Sequence, residues 1–291
     1  MTGSRLLLLF AALALLPLAV ACGGDDDESP GTSTPIGGTM ILATTTSTQD
    51  TGLLDVLEPM FEERTGTDLK VIAIGTGAAL EMAAKGDADA VLTHALSSEK
   101  KYVDSGDLVG ARLVMHNDFV IVGPESDPEK LKGLTDLNAA MKALAAGGGF
   151  ISRGDDSGTH KKELELWMAA AVDPRSVADR EETGQGMGAT LNVADQKGAY
   201  TLTDRGTYLA LKQDLDLVVL FEGPAPLLNI YHAYVVNPEK HTGVKRAQAE
   251  AFVAFMVSPE VQQLIGDFKR AEYGEPLFIP DAGKTVESLG K

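Results

Sequence analysis

Apolar positions along the chain fall into three patterns, each with a different structural consequence. The first is an unbroken run from Leu6 to Ala21 behind Arg5, ending in small residues. At about 16 residues it is shorter than the roughly 20 that span a bilayer, so 1–21 reads as a cleavable export signal rather than a permanent anchor. The second pattern is a short apolar run closed by a turn: Met40 to Ala43, Lys70 to Ile74 and Ala88 to Leu92 each predict a strand. The third is helical spacing, in Leu53, Leu54, Leu57, Met60 and Phe61 and again over Ala78 to Lys85. Strands and helices that alternate in this way predict a parallel sheet. Its strand-end loops, 44–52 and 75–77, then lie side by side on one edge.

Farther along, Asn117 to Pro124 and Asn229 to Pro238 are two similar strands, each ending in a turn signal. Between them the pattern predicts helices over Leu134 to Ala146, Ser157 to Ala171 and Gly188 to Lys197, and strands at Phe150-Ile151 and Ala199 to Leu202. The expected organisation is therefore α/β and two-lobed, with lobe 1 over 40–118, lobe 2 over 119–235 and a C-terminal return to lobe 1 over 236–291. Each lobe is expected to be a mostly parallel sheet flanked by helices. Two hinge strands, near Phe119 to Val122 and Tyr231 to Val235, would join them. Ser258 and Pro259 read as the N-cap and first residue of a helix that carries Val261, Leu264 and Ile265 on one face. With 31 glycines and few aromatics, the composition suits many tight strand-to-helix turns better than a β-sandwich.

Composition changes the picture at the N-terminus and in the overall field. Residues 22–39 are rich in Gly, Asp, Ser, Pro and Thr, too poor in apolar groups to offset their ordering entropy, and so are expected to be a disordered tether. The single cysteine, Cys22, follows Ala19-Val20-Ala21, which looks like a lipobox. A lipoprotein signal peptidase would leave a lipid on Cys22, tying the chain to the outer side of a cell membrane, and a lone cysteine leaves no disulfide to form. The net charge of −17 argues against a nucleic-acid partner. It also means that any bound anion must be held by short-range donors in a dry site.

Two segments offer such donors. Ala43 to Gly52 and Ser152 to Thr159 each place a hydroxyl- and glycine-rich loop between an apolar run and a helical pattern. A helix N-terminus presents backbone N–H groups without acceptors and about half a positive charge, so a tetrahedral anion can be bound there with little formal charge. Hydroxyls add donors and Arg153 adds one cation, able to grip two oxygens at once. Arg153 could also be a structural ion pair with Asp155 or Asp156, and Ser157 an ordinary helix cap.

Three motifs in order, Thr44 to Leu54, Ser152 to Lys162 and Tyr200 to Tyr208, resemble the TupA-type tungstate-binding proteins of ABC importers over most of the chain after the tether. The resemblance implies a type II periplasmic-binding-protein fold that closes on a tetrahedral oxyanion. It would deliver the anion to a membrane permease driven by an ATPase, acting as a monomer with no cofactor and no metal ion beyond the tungsten of the oxyanion. On this resemblance the ligand-binding residues are Thr45, Thr46, Ser47, Arg153, Ser157, Gly158 and Thr159. Thr76 joins them from its place after a first-lobe strand. Thr203 and Arg205 carry little weight, since Asp204 and Arg205 could be an ion pair of their own.

Tungstate and molybdate share charge and size, whereas phosphate at neutral pH carries a proton that needs an acceptor. If Asp155 and Asp156 both point away from the ligand, a fully deprotonated dianion (tungstate, molybdate or sulfate) is preferred. Other functions are weaker. Ser157 and His160 as nucleophile and base lack a Gly-x-Ser-x-Gly elbow and sit three apart on one helix. His94, His116, His160, His232 and His241 show no metal-ligand spacing and read as packed or surface imidazoles. A sensor that binds an oxyanion would need a separate signalling partner.

Overall fold

The computed structural model describes residues 35–147, 149–223 and 225–289. The export signal and Cys22 lie outside these residues. The chain from Pro35 is a compact α/β unit. It begins with β1 (Thr39–Thr45), which runs into the one-turn helix α1 (Thr46–Asp50) and then α2 (Leu53–Thr65). The expected tether ends sooner than Thr39, because the Ile36 and Gly37 amides both donate to Thr65 O at the end of α2. β2 (Asp68–Ile74), α3 (Thr76–Ala84) and β3 (Ala90–Thr93) complete the predicted alternation, with β1 central and parallel to both β2 and β3.

Next come α4 (Leu96–Asp104), to which the apolar pattern assigns nothing, and the 16-residue β4 (Leu108–Gly123). Glu99, a carboxylate, is the buried residue of α4, which leaves no apolar stripe to read. The middle of the chain holds α5 (Leu137–Ala146), β5 (Phe150–Ser152), α6 (Gly158–Ala169), β6 (Arg180–Glu182), α7 (Met187–Lys197), β7 (Thr201–Asp204), α8 (Arg205–Leu211) and β8 (Val218–Phe221). The chain closes with β9 (Leu228–Val236), α9 (Arg246–Met256), α10 (Pro259–Asp267), α11 (Arg270–Tyr273) and β10 (Ile279–Pro280).

The strand order of the first sheet is β10-β4-β9-β3-β1-β2. Its parallel character is confined to β2-β1-β3. β9 runs antiparallel to both β3 and β4, because the chain leaves along β4 and comes back along β9. β4 changes partners within its length: Leu108 to Asp118 pair with β9, whereas Phe119 to Gly123 pair antiparallel with β7 and β8. In the middle region only β5 and β6 form a parallel strand pair, and Phe150 bridges to Tyr200. The sheets are thus mixed rather than mostly parallel. Tyr231 to Val235 lie inside β9 and are paired with β3 and β4, which places them in the first sheet rather than at its edge.

The larger buried cluster runs from Met40, Leu42 and Phe61 on the first sheet's side to Val122, Ile151 and Leu191 of the middle region, and a second cluster gathers around Trp167. Phe61 of α2 packs edge-on against Phe252 and Phe255 of α9, over Met40, Leu42 and Leu92. Val261 and Ile265 of α10 join this cluster, so the C-terminal helix does return to the first sheet, although Ser258 makes no side-chain cap. Around the second group of strands, Phe119, Ile121, Leu144, Tyr200 and Leu220 surround Trp167. Trp167 is fully buried, lies 5.2 Å from Phe150 ring to ring at 77°, and donates through Nε1 to Glu163 Oε1 at 3.0 Å. Emptying this space should be costly. Trp167→Ala is expected to lose about 3 to 5 kcal/mol in urea unfolding. Trp167→Phe should lose less, because Arg180 still holds Glu163. A loss below about 1 kcal/mol for the alanine variant would show that this core does not support the fold.

Candidate functional site

The parallel order β2-β1-β3 delivers the ends of β1 and β3 and the start of α3 to one edge. Thr44 is spent on the sheet, its hydroxyl donating to Leu92 O at 2.8 Å. Thr45 caps α1 by accepting from the Thr48 amide, so capping falls to it rather than to Thr44 or Thr48. Ser47 is buried beside it. Thr76 opens α3 behind Gly75, and its Oγ1 is buried without a hydrogen-bond partner.

The facing wall comes from the turn between β5 and α6. Gly154 adopts φ +61°, and a Cβ there would lie 2.6 Å from Glu182 Cβ, so the turn needs glycine. Ser157 caps α6 by accepting from the His160 amide at 3.2 Å. Two residues on, Thr159 Oγ1 is a second buried hydroxyl without a partner. Gly158 lets the two walls meet: a Cβ on it would lie 2.8 Å from His94 Cε1 and 3.1 Å from Thr76 Oγ1.

Arg153 is the buried cation between the walls, its side chain 3 % exposed. It donates to Asp155 Oδ2 at 2.6 Å, to Gln185 O at 3.2 Å and, across the gap, to Thr46 Oγ1 at 3.4 Å. Asp155 is committed on both oxygens, since Oδ1 accepts from the Ser157 amide. Asp156 pairs with Lys161 and is 75 % exposed. Neither carboxylate of the loop is therefore free to accept a proton from a ligand. The positive field of Arg153 reaches further. It opposes the upward push of burial on the carboxyls of Asp50 and Asp204, both of which end above their ordinary value.

His94, which directly follows β3, is the residue that sequence reasoning placed only as a packed imidazole. Its position at the end of a parallel strand was the available signal. Its Nε2 lies 3.0 Å from Thr45 Oγ1 and 3.1 Å from Ser47 Oγ, and its Nδ1 lies 2.8 Å from Asn229 Oδ1. The ring stacks on Tyr231 with centroids 4.7 Å apart. Asn229 Nδ2 donates to Asn117 Oδ1 at 2.8 Å and to the Tyr231 hydroxyl at 3.2 Å, while Asn117 Nδ2 is buried without a partner. Burial pushes His94 down to about 4, against the opposing effect of Asn229 and Glu99, so the ring is neutral near pH 7.

Contacts bring predicted ligand residues together in two groups: Arg153 donates to Thr46 and is joined to Ser157 through Asp155, while Gly158 lies beside Thr76 and His94, and His94 reaches Thr45 and Ser47; Thr159 Oγ1 has no partner. The nucleophile reading of Ser157 fails on geometry. Its oxygen caps the helix, and His160 Nδ1 accepts from the Asp156 amide instead. Arg205 does not pair with Asp204, which caps α8 by accepting from the Thr207 amide and hydroxyl. Arg205 grips Asp118 at 2.6 and 2.7 Å and also pairs with Glu222, beside a 530 Å³ cavity lined by His116, Asn117, Glu275 and Leu277. Those carboxylates occupy its guanidinium and make that cavity unsuited to an anion. Among the described residues no group of three or more His, Cys, Asp or Glu is placed to hold a metal ion, and no helix is long and apolar enough to cross a membrane.

The PBP superfamily domain matches residues 28–260 of the chain. The tungstate-binding protein TupA of Peptoclostridium acidaminophilum is 44 % identical over 96 % of this chain and 99 % of its own length. Two solved structures are similar at 46 to 47 % identity. The tungstate-binding protein TupA of Desulfovibrio alaskensis G20 superposes with a TM-score of 0.73, covering 84 % of this chain and 100 % of its own. The tungstate ABC transporter protein of Geobacter sulfurreducens superposes at 0.72, covering 79 % and 98 %.

The depressed His94 value has a stability consequence. Between its ordinary value of 6.5 and about 4, the unfolded chain binds a proton that the folded chain refuses. Stability from this group is whole above 6.5 and falls as the pH drops through that window, by about 3 kcal/mol at most. Urea unfolding from pH 7 to pH 4.5 should show this slope in the native chain and a shallower one in His94→Gln. Identical slopes would mean that His94 titrates normally.

Proposed function

Because the chain belongs to the PBP superfamily and, within it, to the TupA family, we propose that it is the extracytoplasmic solute-binding component of an ABC importer for tungstate. It captures the oxyanion between two lobes and delivers it to a permease and its ATPase. The observation that carries this reading is the meeting of two helix N-termini. The starts of α3 and α6 lie against each other, since a Cβ on Gly158 would come 3.1 Å from Thr76 Oγ1; the Thr76 and Thr159 hydroxyls are buried and unpartnered, and the buried Arg153 lies in the loop that leads into α6. Two positive helix ends at contact repel, and buried donors without acceptors are costly, so the arrangement is complete only around an anion.

In this reading Thr45, Thr46, Ser47 and Thr76 donate from the first lobe, and Arg153, Gly158 and Thr159 from the second, with Ser157 fixing the start of α6. The walls shut out water, which strengthens each donor contact. With Asp155 and Asp156 committed elsewhere, a fully deprotonated dianion suits the site better than hydrogen phosphate. The lobe division at 118/119 is supported by the change of partner along β4, and the second crossing by the 222–227 link. The Arg205 pairs with Asp118 and Glu222 bind both crossings to α8. A lipid on Cys22 holds the monomeric domain at the outer face of the cell membrane on its N-terminal tether.

Calorimetric titration of the purified chain with tungstate, molybdate, sulfate and phosphate tests this directly. Tungstate should bind and resist competition by sulfate and phosphate, and phosphate rivalling it would sink the dianion preference. Arg153→Ala should weaken binding by about 2 to 4 kcal/mol, and a loss under tenfold would remove Arg153 as a ligand. Gly158→Ala places a methyl group against His94 and Thr76 and should weaken tungstate binding in the same titration, with a loss of about 1 to 3 kcal/mol in urea unfolding.

A further inference from the structure

The hydrogen bonds behind the cleft form one chain from the hinge to the ligand hydroxyls, and its direction matters. In this structure Asn229 donates to Asn117, so its oxygen faces His94 and Nδ1 carries the ring proton. Nε2 is then a lone pair. It draws a hydroxyl proton from Thr45 or Ser47, so one of these groups is turned away from a ligand. The same direction leaves Asn117 Nδ2 buried with no acceptor, a cost of about 1 to 3 kcal/mol.

Reversal releases the hydroxyls from the ring and exchanges the unpartnered Asn117 Nδ2 for an unpartnered oxygen. With the two amides turned, Asn117 donates to Asn229, the Tyr231 hydroxyl donates to the Asn229 oxygen, and Asn229 donates to His94 Nδ1. His94 then donates through Nε2 to Thr45 and Ser47, which frees the Ser47 proton for an oxyanion oxygen, while Thr45, accepting from the ring and from the Thr48 amide, gives its hydroxyl proton to Thr48 Oγ1. One proton leaves Nδ1 and one arrives at Nε2, so the net charge is unchanged. Water in the open cleft carries the exchange.

We propose that anion binding reverses the Asn117–Asn229–His94 chain, making His94 the positioning residue that turns the Ser47 hydroxyl toward the ligand. Asn117 immediately precedes Asp118, where β4 begins to change partners, and Asn229 follows the second crossing, so the chain joins the donors to both crossings. This inference rests on the oxyanion reading of the cleft.

The test uses the full chain labelled with ¹⁵N-histidine, its His94 resonance identified by its absence in His94→Gln. Long-range ¹H–¹⁵N correlations should show the proton on Nδ1 without oxyanion and on Nε2 in saturating sodium tungstate. The same tautomer in both states would overturn the proposal. Calorimetry on the same sample separates the two failures: tungstate bound without a tautomer change refutes the reversal alone, whereas no binding of tungstate, molybdate or sulfate refutes the oxyanion reading and the reversal with it. His94→Phe keeps the ring on Tyr231 but cannot donate, and should lose about tenfold or more in tungstate affinity. His94→Gln, which can present an N–H, should recover most of that loss. Wild-type affinity in His94→Phe would also overturn the proposal.

Discussion

The starts of α3 and α6 face one another in a buried space, and much of the molecule exists to make that contact tolerable. Each helix end carries about half a positive charge and amide donors with no acceptor in its own helix. Gly158 permits the approach, since any larger residue would strike His94 and Thr76. Arg153 adds a full charge in the same place, relieved by Asp155 alone of the two loop carboxylates. A fold that spends this much positive potential in one buried spot is built around negative charge that comes from outside, even though the chain as a whole carries −17. Local donors, not the overall field, do the binding.

Supporting that contact requires charged groups in the interior, and the two buried carboxylates behind the walls are networked. Glu99 lies under β3 and accepts from Thr93 Oγ1, the Ala95 amide and the Tyr234 hydroxyl. Burial pushes its carboxyl up, but the adjacent His232 ring, Tyr234 and the Ala95 amide outweigh it and leave it below its ordinary value. This anchors the turn that holds His94. On the opposite wall, Glu163 accepts from Ser152, Trp167 and Arg180, fixing β5 against α6 and thereby the direction of Arg153. Buried carboxylates satisfied in this way give the two walls rigid, specific positions.

The βαβ core was legible because its apolar residues repeat with the period of the element they occupy. Leu53, Leu54, Leu57 and Phe61 announce α2, and the hydroxyl loops announce helix starts. α4 was not legible, because its inward residue is Glu99. The mixed sheet was not legible either, since Asn229 to Pro238 has the same composition whether it runs parallel or antiparallel. The place of Tyr231 to Val235 in the sheet depended on which strands β9 joins, and no residue among them carries that information locally.

By itself the sequence determined the α/β class, the three motif loops, the donor types and the lone cation, since these follow from local periodicity and side-chain chemistry. Only the tertiary structure decided which donors share a space. Arg153 took Asp155 and left Asp156 to Lys161; Arg205 turned from Asp204 to Asp118 and Glu222; and His94 moved from an unremarked imidazole to the centre of a buried hydrogen-bond chain. The choice between Asp155 and Asp156 is local and follows from the turn that half-buries one carboxylate and exposes the other, whereas the Arg205 and His94 choices join groups 17 to 135 residues apart in the chain. Partners at such separations are selected by packing and desolvation, which no short stretch of sequence contains.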